Sequence, residues 1–242
     1  MIPSFWEKLQ VDGKEMDLYA SVPSGAGPFP AVVVSQHGGG VDRFIQTICD
    51  RLAGEGYAAV APNLFHRITD EMLANGSTRV QHLKDPEIVA DINATVDFLR
   101  RHPAIDGEHI GVTGFCMGGR VAWLAAASNP HFKAVAPYYG GNLFVKWGNP
   151  AQTPFELAGN INCPILFHFG ELDQNPSQED MRKLDADLTR LGRQHQFYTY
   201  PGANHAFMDF TGPRHYQQAA DASWPRTLEF FAQHLKGAAV AR

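Results

Sequence analysis

Short unbroken apolar runs separated by amphipathic segments of helical length set the tightest limit on how this chain can fold. Ala31-Val32-Val33-Val34 and Ala58-Ala59-Val60-Ala61 contain no polar alternation, the pattern of a strand covered on both faces. Between them Ile45, Ile48, Cys49 and Leu52 recur at helical spacing, and Gly54 and Gly56 stop the pattern. That is one strand-helix-strand unit. The alternation continues with a helix from Asp85 as N-cap and Pro86 in its first turn to about Arg101, carrying Ile88, Ile92, Val96 and Leu99 on one face. A strand at 110–113, a helix at 118–128 and strands at 134–139 and 164–169 follow. A helix bearing Met181, Leu184, Leu188 and Leu191, a strand at 196–200 and a helix at 215–235 close the chain. The front differs: Val11-Asp12-Gly13-Lys14 is a turn, and Met16, Leu18, Ala20 and Val22 alternate with other residues, which predicts an antiparallel hairpin. The expected class is α/β, a mostly parallel central sheet with helices on both faces. Its ligands bind beyond the carboxyl ends of the strands.

At 242 residues the chain suffices for one large domain. A single domain over 1–242 is expected, with 1–28 as hairpin and linker and 63–85 and 140–162 as loop insertions near the site. With 20 Lys plus Arg against 25 Asp plus Glu, the net charge of -5 supplies no cationic footprint for nucleic acid or anionic lipid. No apolar run reaches membrane-spanning length and no signal peptide is legible, so a cytoplasmic location is expected, as monomer or homodimer. Cys49, Cys116 and Cys163 are too few and too scattered for a disulfide framework or a CxxC pair. Nor is there an HExxH, Walker or GxGxxG pattern, so neither metal nor cofactor is expected.

The chemistry centres on Gly114-Phe115-Cys116-Met117-Gly118, which joins a strand directly to a helix. This is a nucleophile elbow with cysteine in the serine position, where flanking glycines relieve a very sharp turn. A helix N-terminus favours a thiolate over a thiol. Such a nucleophile needs a base and an orienting acid, which in this arrangement follow in the order nucleophile, acid, histidine. Asp173, in Glu171-Leu172-Asp173 after one strand, and His205, in Gly202-Ala203-Asn204-His205 after the next, supply them. Glu171 is the competing acid. Cys49 and Cys163 read as packing residues.

Gln36-His37-Gly38-Gly39-Gly40 follows an early strand, and glycines there let bare N–H groups turn toward an oxyanion. The expected donors are the N–H groups of Gly38 and Met117. Phe115, Tyr138, Tyr139, Phe144 and Trp147 gather around the elbow and the loop after the 134–139 strand, and Phe207 follows His205. They are the expected wall for an apolar group, with core packing the competing reading for Phe115 and Tyr138.

The elbow, Glu171-Leu172-Asp173 and Gly202-Ala203-Asn204-His205-Ala206-Phe207 together resemble the dienelactone hydrolase (carboxymethylenebutenolidase) family of α/β-hydrolases, over about 29–235. Gly56-Tyr57-Ala58-Ala59-Val60-Ala61-Pro62-Asn63-Leu64 is similar as well. The resemblance implies the α/β-hydrolase fold, a triad of Cys116, Asp173 and His205, and a lactone or ester substrate cleaved through a thioester. Two departures bear on the substrate. His37 stands where dienelactone-cleaving members resemble one another in having a glutamate, and Met208 and Asp209 stand where they have an arginine. Arg79 and Arg214 are the candidates to replace that cation, each against the reading of a solvated surface residue. Two other functions compete with hydrolysis: a noncatalytic module binding a small ligand, and a thiol redox protein using Cys116.

Overall fold

The computed structural model describes residues 3–236, so the first two and last six residues of the expected 1–242 domain lie outside the described residues. Strands β1 (Ser4–Val11) and β2 (Lys14–Ser21) form the hairpin about Asp12 and Gly13. Then β3 (Phe29–Ser35), α1 (Arg43–Gly54), β4 (Ala58–Pro62), α2 (Asp85–Arg101), β5 (Ile105–Phe115), α3 (Met117–Ser128) and β6 (Phe132–Tyr138) alternate. The chain ends with β7 (Ile165–Gly170), α4 (Gln178–Arg190), β8 (His195–Tyr200) and α5 (Gln217–Leu235). One eight-stranded sheet runs β1-β2-β4-β3-β5-β6-β7-β8, parallel from β4 to β8 and antiparallel at the hairpin and its join to β4.

The unbroken apolar runs are explained by what covers each face. Ala31 and Val33 of β3 join Val112, Val96 and Val121 in the core beneath α2 and α3. Val32 and Val34 point the other way, into a second core with Ile48 of α1 and Phe231 of α5. Both faces are dry, so alternation would leave a polar group buried. β5 begins before the expected 110–113 segment. A register shift between Pro30 and Ala31 lets Ile105 and Asp106 pair with β3 as well, and the intervening polar residues hide that pairing in the sequence.

Asp85 is not the N-cap of α2. Lys84 occupies that position without a side-chain cap, and Asp85 is the first helical residue. Its carboxylate is buried and takes a two-pronged bond from Arg120 of α3, Nη1 to Oδ1 at 2.5 Å and Nη2 to Oδ2 at 3.0 Å. The segment between β4 and α2 contains two short 3-10 turns, Glu71–Leu73 and Arg79–His82. Arg67 and His66 fasten its start to buried Asp91 of α2, at 2.6 and 3.0 Å.

Candidate active site

The elbow forms because β5 hands directly to α3. Cys116 alone separates them, with φ 58° and ψ −121°, a strained backbone for any residue with a Cβ. A Cβ on Gly114 would strike the Gly118 carbonyl, and one on Gly118 would strike the Ser35 carbonyl of β3. Both glycines are therefore demanded by close backbone approach. From below, Phe115 stacks on Tyr138 with centroids 4.8 Å apart, and the Cys116 N–H donates to the Tyr138 carbonyl at 3.1 Å.

His205 and Asp173 arrive from the loops after β8 and β7. Those loops are tied together: the Leu172 N–H donates to the Ala203 carbonyl at 2.9 Å, and the Glu171 N–H to the Tyr200 carbonyl at 3.0 Å. Glu171, the competing acid, is exposed and accepts the Gly202 N–H at 2.9 Å. Asp173 is buried, accepts the Asn175 N–H on Oδ1, and bonds His205 Nδ1 through Oδ2 at 2.9 Å. With Nδ1 committed, Nε2 is the ring nitrogen left for Cys116.

Electrostatics agree with that chain of contacts. Burial pulls the His205 imidazole down, but the bonds to Asp173 and Cys116 outweigh it and push it up to about 9. For Cys116 burial acts upward. The bond and charge of His205, the Met117 N–H and the charge of His37 outweigh it, holding the thiol below its ordinary value. Both shifts favour the thiolate–imidazolium form of the pair.

Cys116 and His205 open into a cavity of about 120 Å³ that Gly38 and Met117 also line. The Met117 N–H sits at the first helical position, where no intrahelical acceptor exists. Val80 of the 63–85 insertion and Trp147 of the 140–162 insertion form apolar walls. Arg120, the charged wall residue besides the Cys116–His205 pair, is fully buried and spoken for. It grips Asp85, donates to the carbonyls of Asn142 and Val145 at 3.1 and 2.8 Å, and lies 3.8 Å over the Trp147 ring. It thus pins the 140–162 loop against the elbow helix. An adjoining, more open hollow shares Asn175 and His205 and adds Arg214.

Several expected wall residues do not reach this cavity. Phe115, Tyr138 and Phe207 are wholly buried beneath the elbow, filling the core with one another. Tyr138 turns its hydroxyl to Thr227 at 2.6 Å. Phe144 packs on Phe155, centroids 4.5 Å apart, and faces a separate small hollow. Arg79 is exposed, its guanidinium 6.0 Å from the Phe65 ring. His37 is largely covered, with Nε2 on Asp42 Oδ2 at 2.8 Å and Nδ1 3.9 Å from Asp209 Oδ2. Asp42, Arg120, Val80 and Asn175 do not stand out in the sequence, and Asp209 does so only as a position where the family resemblance predicts an arginine. Asp42 precedes an apolar helix as a capping residue would; Arg120, Val80 and Asn175 carry no local signal.

Among the described residues no cluster of three or more His, Cys, Asp or Glu is arranged to hold a metal, and no helix is long and apolar enough to cross a membrane.

The sequence profile of the "Dienelactone hydrolase family" matches residues 16–235. A protein of Escherichia coli (strain K12) named "Putative carboxymethylenebutenolidase" is 34% identical over 228 residues, covering 92% of this chain and 84% of its own. A Bradyrhizobium protein named "Probable 2-oxo-3-(5-oxofuran-2-ylidene)propanoate lactonase" is 29% identical, covering 96% and 95%. The crystal structure of a Klebsiella pneumoniae protein, "Putative Dienelactone Hydrolase", superposes with a TM-score of 0.86 at 30% identity, covering 97% and 100%.

Proposed function

Because the chain belongs to the dienelactone hydrolase family, hydrolases acting on lactones or esters, we propose that it cleaves its substrate through Cys116, His205 and Asp173 by way of a thioester. The observation that carries this is the linked set at the carboxyl edge of the sheet: a strained cysteine, a histidine bonded to a buried aspartate, and a shared cavity. The proton already rests on His205. The Cys116 thiolate attacks the carbonyl carbon while the N–H groups of Gly38 and Met117 hold the oxyanion. Collapse of the tetrahedral adduct breaks the C–O bond, and the His205 imidazolium gives its proton to the departing alkoxide. His205, now neutral, takes a proton from water; the hydroxide adds to the thioester carbon, and the C–S bond breaks to return thiolate and acid. Asp173 keeps the ring oriented and steadies its charge through the Nδ1 bond.

Substrate preference follows from the walls. The cavity's arginine is fully engaged by Asp85 and two carbonyls, so an uncharged, compact acyl group fits it better than one bearing a carboxylate. The Bradyrhizobium relative's named substrate, a propanoate, carries one. Neutral lactones and esters are the proposed class here.

Mass spectrometry of enzyme quenched during turnover of p-nitrophenyl acetate tests the mechanism. An acetyl group on Cys116 is expected, with hydrolysis abolished in Cys116→Ala; near-normal turnover by that variant would falsify the nucleophile. Turnover should also decline as pH rises through about 9, where His205 loses the proton it gives the leaving group.

A further inference from the structure

A second imidazole, His37, precedes the cavity-lining Gly38 and is joined through Phe44 to Phe115, next to the nucleophile, and its surroundings are unusual for a neutral ring. His37 Nε2 meets Asp42 Oδ2 at 2.8 Å, and Nδ1 lies 3.9 Å from Asp209 Oδ2. Neither carboxylate is free to swing away. Asp42 uses Oδ1 to cap α1, accepting the Phe44 and Ile45 N–H groups at 3.0 and 3.3 Å. Asp209 is buried and uses Oδ1 on the Thr211 N–H and hydroxyl, at 2.9 and 2.6 Å. Each aspartate therefore presents its remaining oxygen to one ring nitrogen. Only the Asp42 contact is a hydrogen bond, Asp209 lying at charge-contact distance; a neutral imidazole would turn a lone pair toward one of the two anions, whereas the doubly protonated ring donates to Asp42 and presents positive charge to Asp209. The ring is further fixed edge-on to Phe44, which packs on Phe115, the residue before Cys116.

We propose that His37 is a positioning residue: an imidazolium clamped between Asp42 and Asp209 that holds the Cys116 sulfur as thiolate independently of His205. The inference rests on the thioester reading above. In its last step the C–S bond breaks with the electron pair on sulfur, while His205 carries the proton it took from water. The charge of His37 receives that thiolate with no further proton transfer. In the first step, when His205 has given its proton to the alkoxide, His37 remains charged. The groups facing the sulfur are His205 with Asp173 behind it, the Met117 N–H, His37, and the buried phenol of Tyr139. Mutual electrostatic influence links His37 with Cys116, and both Asp42 and the sulfur raise the ring's affinity for a proton against burial. Without His37 the sulfur loses one of the charges that hold it below its ordinary value, and Asp42 and Asp209 lose the cation between them.

Iodoacetamide alkylation of Cys116, followed from pH 5 to 10, reads the thiolate without any turnover, so it separates failure of this inference from failure of the hydrolytic reading. His205→Ala is expected to alkylate with a midpoint still below that of free cysteine, about 8.5. His37→Gln should alkylate about tenfold more slowly than wild type at pH 6, and equally fast at pH 10. Identical profiles for His37→Gln and wild type, or free-cysteine behaviour in His205→Ala, would overturn the proposal. Should His37→Gln fail to fold, NMR titration of the imidazoles in wild type and Cys116→Ser decides the matter. Linkage is reciprocal, so loss of the thiolate must lower the His37 midpoint; an unmoved midpoint refutes the coupling.

Discussion

Two covered histidines in this molecule hold opposite charge states. His168, inside β7, offers Nδ1 to the Tyr200 hydroxyl at 2.8 Å and Nε2 to the Thr227 hydroxyl at 3.0 Å, and burial, helped by the charge of Arg226, lowers it to about 3. His205, beyond the end of the neighbouring strand, is also largely covered, yet it is pushed up to about 9. Burial acts in the same direction on both. What separates them is the partner: hydroxyls can serve either end of a neutral ring, whereas a carboxylate on one nitrogen and a thiol at the other favour the cation. The sheet interior uses imidazole as a neutral connector, and the carboxyl edge uses it as a fixed charge.

The most forceful way to break this contrast is to remove the carboxylate. In Asp173→Asn the ring loses both its orientation and its reason to be charged, and ester hydrolysis should fall about 10³- to 10⁴-fold. The alkaline limb near pH 9 should move downward at the same time, as steady-state kinetics across pH would reveal. Retention of that limb would mean that a group other than His205 sets it. Next in size is Arg120→Met, which leaves the Asp85 carboxylate buried and unpaired. A loss of about 3–5 kcal/mol is expected in urea unfolding, and replacing Asp85 by leucine in the same protein should recover part of it. No recovery would mean that Arg120 acts mainly through the Asn142 and Val145 carbonyls and the Trp147 ring.

These two edges of the contrast were unequally legible in the sequence. The elbow, Asp173 and His205 could be read because each follows a strand directly, and strand position is encoded in local apolar runs. The pattern also gave the parallel core, since Ala31-Val32-Val33-Val34 can be that apolar only when both faces are covered. The cavity wall could not be read. Arg120 looks like a polar residue in an apolar helix until Asp85, 35 residues earlier, is brought against it. Phe115 and Tyr138 look like wall residues, but the strand pleat turns them into the core beneath the nucleophile. His37 stands out only as a departure from the pattern that the resemblance implies, whereas its meaning depends on Asp42 and Asp209, brought to it by a turn and a distant loop.

A smaller effect sharpens the contrast from the neutral side. His168→Gln removes a ring that bridges two hydroxyls, at a cost of about 1–3 kcal/mol, without moving the activity limb near pH 9. The pH dependence of stability has a definite sign. The folded-state affinity of His168 for a proton is lowered from 6.5 to about 3. Its contribution is therefore full above about 6.5 and is lost as pH falls toward 3, because only the unfolded chain can take up the proton there. In His168→Gln that part of the acid dependence should flatten, which thermal unfolding between pH 4 and 7 would show; an unchanged slope would assign it elsewhere.

The smallest effects belong to the two arginines outside the cavity wall. Arg79→Ala and Arg214→Ala should each change the hydrolysis of neutral esters by less than about twofold, the scale of surface substitutions. The two positions differ, however. Arg79 lies over the Phe65 ring, while Arg214 lines the open hollow on the other side of His205. Esters carrying a carboxylate on the alcohol portion separate them. A KM rise confined to those esters and to Arg214→Ala would give that hollow a role in holding the leaving group, whereas the same rise with the carboxylate on the acyl portion would contradict the neutral acyl cavity and the charge contrast drawn from it.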